Sequence, residues 1–156
     1  MAHCRWGGIV TRIAIQLDGM SQLLGKLKAL GGDADDVVRE VITDLVTDTH
    51  AIAVAGIQSG GGGRVYQKSN PTRTHRASAP GAYPATDTGR LASSVRMILP
   101  TASSMASEVG TAVKYGAWLE FGTSRMAARP WLLPSFERAK IGIEKELKTR
   151  IEAMVK

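Results

Sequence analysis

Apolar residues at Val37, Val38, Val41, Ile42, Leu45, Val46, Ile52, Ala53 and Ile57 keep helical spacing over 23 residues from Asp35. A helix of that length spans ~35 Å at 1.5 Å per residue. Its opposite face carries Arg39, Glu40, Thr43, Asp44, Thr47 and Asp48, so one stripe must be buried against another layer while the other side meets water. Asp33 is suited to cap it, and Asp35 and Asp36 suit the positive end of the helix dipole. His50 reads as a residue at the boundary of the stripe. With 156 residues the chain is expected to form one domain over 1–156, with a core that needs neither disulfides nor metal.

The partners for this stripe come from both sides. Ile9, Thr11, Ile13, Ile15 and Leu17 alternate, which predicts a half-buried strand over about 9–17. Met20, Leu23, Leu24, Leu27 and Leu30 predict a short helix ended by Gly31-Gly32. Val95, Met97 and Leu99, then Met105 to Thr111, predict a β-hairpin. Val113 to Phe121 predicts a short helix closed by Gly122. Phe136, Ala139, Ile143, Leu147, Ile151 and Met154 predict a last amphipathic helix over about 135–155, supported by Glu144–Lys148 and Glu146–Arg150 pairs. These elements describe an α+β fold: a small antiparallel or mixed sheet packed by a long N-terminal helix and a C-terminal helix.

From Gln58 to about Thr88 the sequence shows no apolar periodicity, and the expectation is a long flexible loop hinged at Gly60, Gly61, Gly62 and Gly63. The loop is basic. Arg64, Lys68, Arg73, Arg76 and Arg90 face only Asp87, so residues 64–90 carry +4, residues 1–63 carry −2 and residues 91–156 carry +4. The total of +6 first suggests nucleic acid. A nucleic-acid-binding protein using the 64–90 loop is therefore the alternative reading. Tyr66 and Tyr83 are the loop's only aromatics, however, and no helix-turn-helix pattern accompanies them.

Catalytic and cofactor chemistry finds little footing. Gly60–Gly63 lacks the Lys-Ser/Thr of a phosphate loop. His3, His50 and His75 lie far apart, and Cys4 is the only cysteine, so no metal site or disulfide framework is expected. Glu108 and Glu120 read as solvated or salt-bridged carboxylates. The expectation is a protein that is not an enzyme, takes no cofactor and spans no membrane.

Two segments are denser in specified residues. Tyr115 to Pro134 reads YGAWLEFGTSRMAARPWLLP; Tyr115, Trp118 and Leu119 share a helical face, and Glu120 is expected to leave that face and pair with Arg125 or Arg129 in a folded-back turn. Pro130 and Pro134 bracket Trp131 and set the entry to the last helix. Upstream, Asp87-Thr88-Gly89 reads as a turn, with Leu91 anchoring it on the core.

Asp87-Thr-Gly-Arg-Leu-Ala-Ser-Ser94 followed by Tyr115…Leu-Glu-Phe-Gly-Thr…Arg-Pro-Trp-Leu-Leu-Pro134 resembles the small tail-completion or head–tail joining proteins of long-tailed, lambdoid-type phages and prophages. Ala127, Gly116 and Trp131 stand where proline, alanine and phenylalanine are common in that family. The resemblance implies a structural virion protein of the neck, assembled in the host cytoplasm as a homo-oligomeric ring, with sixfold symmetry matching the tail. It implies partners among other neck, connector and tail proteins, with genome DNA passing through without sequence-specific binding. The residues it carries over are Thr88, Gly89, Leu91, Ser94, Tyr115, Glu120, Phe121, Gly122, Thr123, Arg129, Pro130 and Pro134. With Trp118 and Trp131 they are assigned to fold and subunit contact.

Overall fold

The computed structural model describes residues 11–14, 34–69 and 72–154. The short helix expected over 20–30 and the Asp33 cap lie outside the described residues. The elements run β1 (Thr11–Ala14), α1 (Ala34–Ser59), β2 (Gly62–Ser69), β3 (Thr72–Ser78), α2 (Arg90–Ser94), β4 (Val95–Ile98), β5 (Glu108–Thr111), α3 (Tyr115–Phe121) and α4 (Leu133–Met154). The fold is α+β, with two small antiparallel sheets.

The first sheet has the order β1-β5-β4, with β5 central. Thr11 lies opposite Thr111 on one side, and Val95 lies opposite the same residue on the other. The long stripe of α1 is buried as its spacing requires. Val38, Ile42, Val46, Ala53 and Ile57 pack with Val95 and Val109 of the sheet, with Leu91 and Ala92 of α2, and with Trp131 and Leu132. Burying each large aliphatic side chain of this set is worth ~1.5–3 kcal/mol. A second face of α1, Val41 and Leu45, packs on Ala139 and Ile143 of α4. Thr49 is fully buried within α1, and its hydroxyl donates to the Leu45 carbonyl at 2.6 Å, so no polar atom there is stranded.

Within the region expected to be a flexible loop over 58–88, residues 62–78 form a β-hairpin, and 79–88 carry no helix or strand. β2 and β3 pair antiparallel, with Val65 opposite Arg76, Tyr66 opposite His75, and Lys68 opposite Arg73. A period of two is present in β3, but it is written in polar and charged residues, and in β2 the run from Arg64 to Gln67 is exposed throughout. Lys68, Arg73, His75 and Ala77 are partly covered, while Val65, Gln67, Thr74 and Arg76 are exposed. Without an apolar stripe the alternation gives no hydrophobic signal, which is why the segment reads as loop. The glycine run is no hinge either. A Cβ on Gly60 would sit 2.2 Å from the Pro84 carbonyl oxygen and one on Gly63 2.7 Å from those of Ala77 and Ser78, so Gly60 and Gly63 let backbones approach closely, while Gly62 takes φ +90°. Arg64, Lys68, Arg73 and Arg76 are thus strand residues on an ordered arm.

Candidate functional site

The segment 115–134 folds back on itself, and a buried carboxylate braces the closure. α3 ends at Phe121, and Gly122 takes φ +75°, a left-handed conformation that a glycine adopts without steric cost. Thr123 and Met126 then close a tight turn through reciprocal backbone bonds of 2.8 and 3.2 Å. The returning segment is tied to α3 where the Arg129 N–H donates to the Leu119 carbonyl at 2.6 Å.

Glu120 is 5% exposed. Its Oε2 accepts the backbone N–H groups of Trp131 at 2.7 Å and Leu132 at 2.9 Å, and its Oε1 accepts that of Leu133 at 2.9 Å. These donors stand at the start of α4, where helix geometry leaves N–H groups without partners and the dipole favours negative charge. The first turn of α4 has no acidic residue of its own. α3 supplies one. Pro134 follows, with no N–H to satisfy. Glu120 therefore does not pair with Arg125 or Arg129, and it is not a solvated glutamate. Arg129 instead donates to the Ser78 carbonyl through Nε at 3.2 Å and to the Ala127 carbonyl at 3.1 Å, stitching the turn to the end of β3.

Trp131 is fully buried, and its indole N–H donates to the Gly116 carbonyl at 3.1 Å. The Ser135 hydroxyl donates to the Trp131 carbonyl at 2.5 Å, so the Tyr83 hydroxyl donates to Ser135 across 3.0 Å. The Arg138 guanidinium lies 5.5 Å from the Tyr83 ring centre. Gly89 opens α2 at φ +73°, Leu91 is buried, and the Ser94 hydroxyl donates to the Leu91 carbonyl while receiving that of Thr111 at 2.6 Å. Thr88 adds a long contact of 3.5 Å from the Arg90 N–H.

This bracing leaves two large aromatics outside. Trp118 is 55% exposed and Phe121 71% exposed, and one helical turn apart on α3 they are neighbours. Leu133, whose N–H is fixed by Glu120, is exposed as well. Tyr115 and Leu119 pack against the core instead, so the face expected to hold Tyr115, Trp118 and Leu119 together is divided between core and solvent.

A second constellation was not anticipated. Asp87 is the only acidic residue between Asp48 and Glu108. Its carboxylate accepts hydrogen bonds from Lys68 of β2 and Arg73 of β3, and His75 Nδ1 stands 3.7 Å away. Arg73 also donates to the Asp87 carbonyl at 3.0 Å. The Lys68 hydrogen bond, followed by the charge of Arg73, holds the Asp87 carboxyl below its ordinary value of 3.8. Its solitude among basic residues is the sequence signal that could have found it.

Among the described residues, no three His, Cys, Asp or Glu side chains gather to hold a metal ion, and no helix is long and apolar enough to cross a membrane. No protein-family model, curated protein or solved structure matches this chain.

Proposed function

We propose that this chain is a ring-forming structural subunit of a phage neck, joining or completing the tail at the head–tail junction. The observation that carries the reading is the exposed pair Trp118 and Phe121 on a helix braced by Glu120, Gly122 and Trp131. Large aromatics held rigidly in water are costly for an isolated subunit and typical of buried anchors in an assembly. They fall within the segment that carries the family resemblance. The hairpin supports the same reading: a two-stranded ribbon exposed along its outer face is marginal alone and gains from a neighbour.

The nucleic-acid alternative rests on Arg64, Lys68, Arg73 and Arg76, arranged as a ribbon of a kind that fits a major groove. It is weakened because Asp87 already engages two of the four. The test is mass photometry of the purified protein, alone and mixed with tails. Rings that bind tails are expected; a strict monomer that never joins tails would overturn the reading.

A further inference from the structure

Lys68 and Arg73 are directly opposed across the hairpin. Like charges in that position destabilise a strand pair. Here both side chains turn toward the body of the molecule and meet on one carboxylate, that of Asp87, which lies 19 and 14 residues away along the chain. Asp87 sits in the stretch just before Gly89 and α2, and α2 is anchored in the core by Leu91. The groups that face this carboxylate are Lys68 from β2 and Arg73 and His75 from β3; His50 of α1 and Arg96 of β4 line one cavity with Asp87, and Arg90 of α2 lines another. The pairs are partly exposed, with the Asp87 side chain 29% accessible, so water and competing ions can reach them.

We propose that Asp87 is an electrostatic latch that offsets the Lys68–Arg73 repulsion and holds the β2–β3 arm docked on the body, so that losing its charge frees the arm while the core stays folded. The arm is built for such release. Its inner face offers Lys68, Arg73 and His75 with only Tyr66, itself 49% exposed, and Ala77 beside them, so little apolar contact holds it once the carboxylate is neutral. The core of α1, α2, β4, β5 and Trp131 uses neither Asp87 nor any residue of the hairpin. A free arm would present Lys68 and Arg73 together with Arg64, whose guanidinium already lies 5.7 Å from the Tyr66 ring centre. This inference is independent of the neck assignment, since it concerns what holds the arm and not what the arm meets.

Hydrogen exchange read by mass spectrometry on the full chain tests it at neutral pH. In Asp87→Asn, peptides covering 62–78 are expected to exchange roughly tenfold faster while α1 peptides keep their protection, the pattern of a local opening. The double variant Lys68→Gln with Asp87→Asn removes the like-charge pair and is expected to recover much of the lost hairpin protection. Unchanged protection of 62–78 in Asp87→Asn would overturn the latch. So would a parallel loss in α1, or a double variant more exposed than Asp87→Asn alone.

Discussion

Replacing Glu120 tests whether one carboxylate sets the angle between α3 and α4. Its two oxygens accept three backbone N–H groups at 2.7, 2.9 and 2.9 Å in a site 5% exposed. Hydrogen bonds to a charged group contribute ~1.5–3 kcal/mol each, but three cannot be added at full value. Two of them share Oε2, and Leu133 is exposed enough for water to reach its N–H. The Trp131 and Leu132 donors stay buried, and a stranded donor costs ~1–3 kcal/mol. Glu120→Ala strands both of them and should therefore cost ~2–6 kcal/mol. Glu120→Gln keeps one acceptor oxygen, which can hold the Trp131 and Leu132 donors, and turns an amide N–H₂ toward Leu133; it should cost about half as much. Urea unfolding of the three proteins, followed by Trp fluorescence, gives the differences. An Ala variant within ~1 kcal/mol of the parent would refute the bracing role, since surface changes commonly fall within ~0.5 kcal/mol. Equal losses for Ala and Gln would refute the part assigned to acceptor count.

Four further outcomes are expected. Gly116→Ala places a Cβ 2.5 Å from Thr111 Cγ2, against the central strand of the sheet, and should destabilise by ~1–3 kcal/mol in urea unfolding. Tyr83→Phe removes the hydroxyl that donates to Ser135 and should cost ~0.5–1.5 kcal/mol, leaving the circular dichroism spectrum unchanged. Trp118→Ala and Phe121→Ala should leave the melting temperature nearly unchanged and abolish ring formation in mass photometry; intact rings would remove the aromatic pair from the assembly surface. The folded-state pKa of Asp87 is depressed, so its contribution to the arm is fully present above the ordinary carboxylate value of 3.8 and is lost as pH falls through the lower folded value. NMR titration of the Tyr66 ring should follow that loss; shifts completed well above pH 3.8 would assign it to another group.

The parts of this fold that follow one periodicity over many residues were legible in the sequence. The α1 stripe, and the α4 period at Phe136, Ala139 and Ile143, land where their apolar spacing puts them, because burying an apolar face is a local pattern with a single geometric solution. The β4–β5 pair falls within the expected hairpin although Met97 and Leu99 are exposed, and Gly122 was legible because a glycine takes the left-handed conformation that ends α3. Glu120 was not, although its segment was singled out. Local spacing shows that a carboxylate leaves the α3 face, and charge intuition then hands it to the nearest arginine. The competing partner is a set of backbone N–H groups, which every sequence contains and none displays. What marks it is a deficit at a distance: α4 starts after Pro130-Trp131 with no acid in its own first turn, so its end must be satisfied from elsewhere. The hairpin fails by the same logic in reverse. Its inward residues, Lys68, Arg73 and His75, alternate as a strand should but carry charge where a strand usually carries hydrocarbon. Such a face can dock only where a counter-charge is provided. Between Asp48 and Glu108 the chain provides one, Asp87. An isolated acid amid many cations, like a helix start lacking its own acid, is a demand placed on another part of the chain. Here each demand is met by one carboxylate, Glu120 at the start of α4 and Asp87 beneath the hairpin.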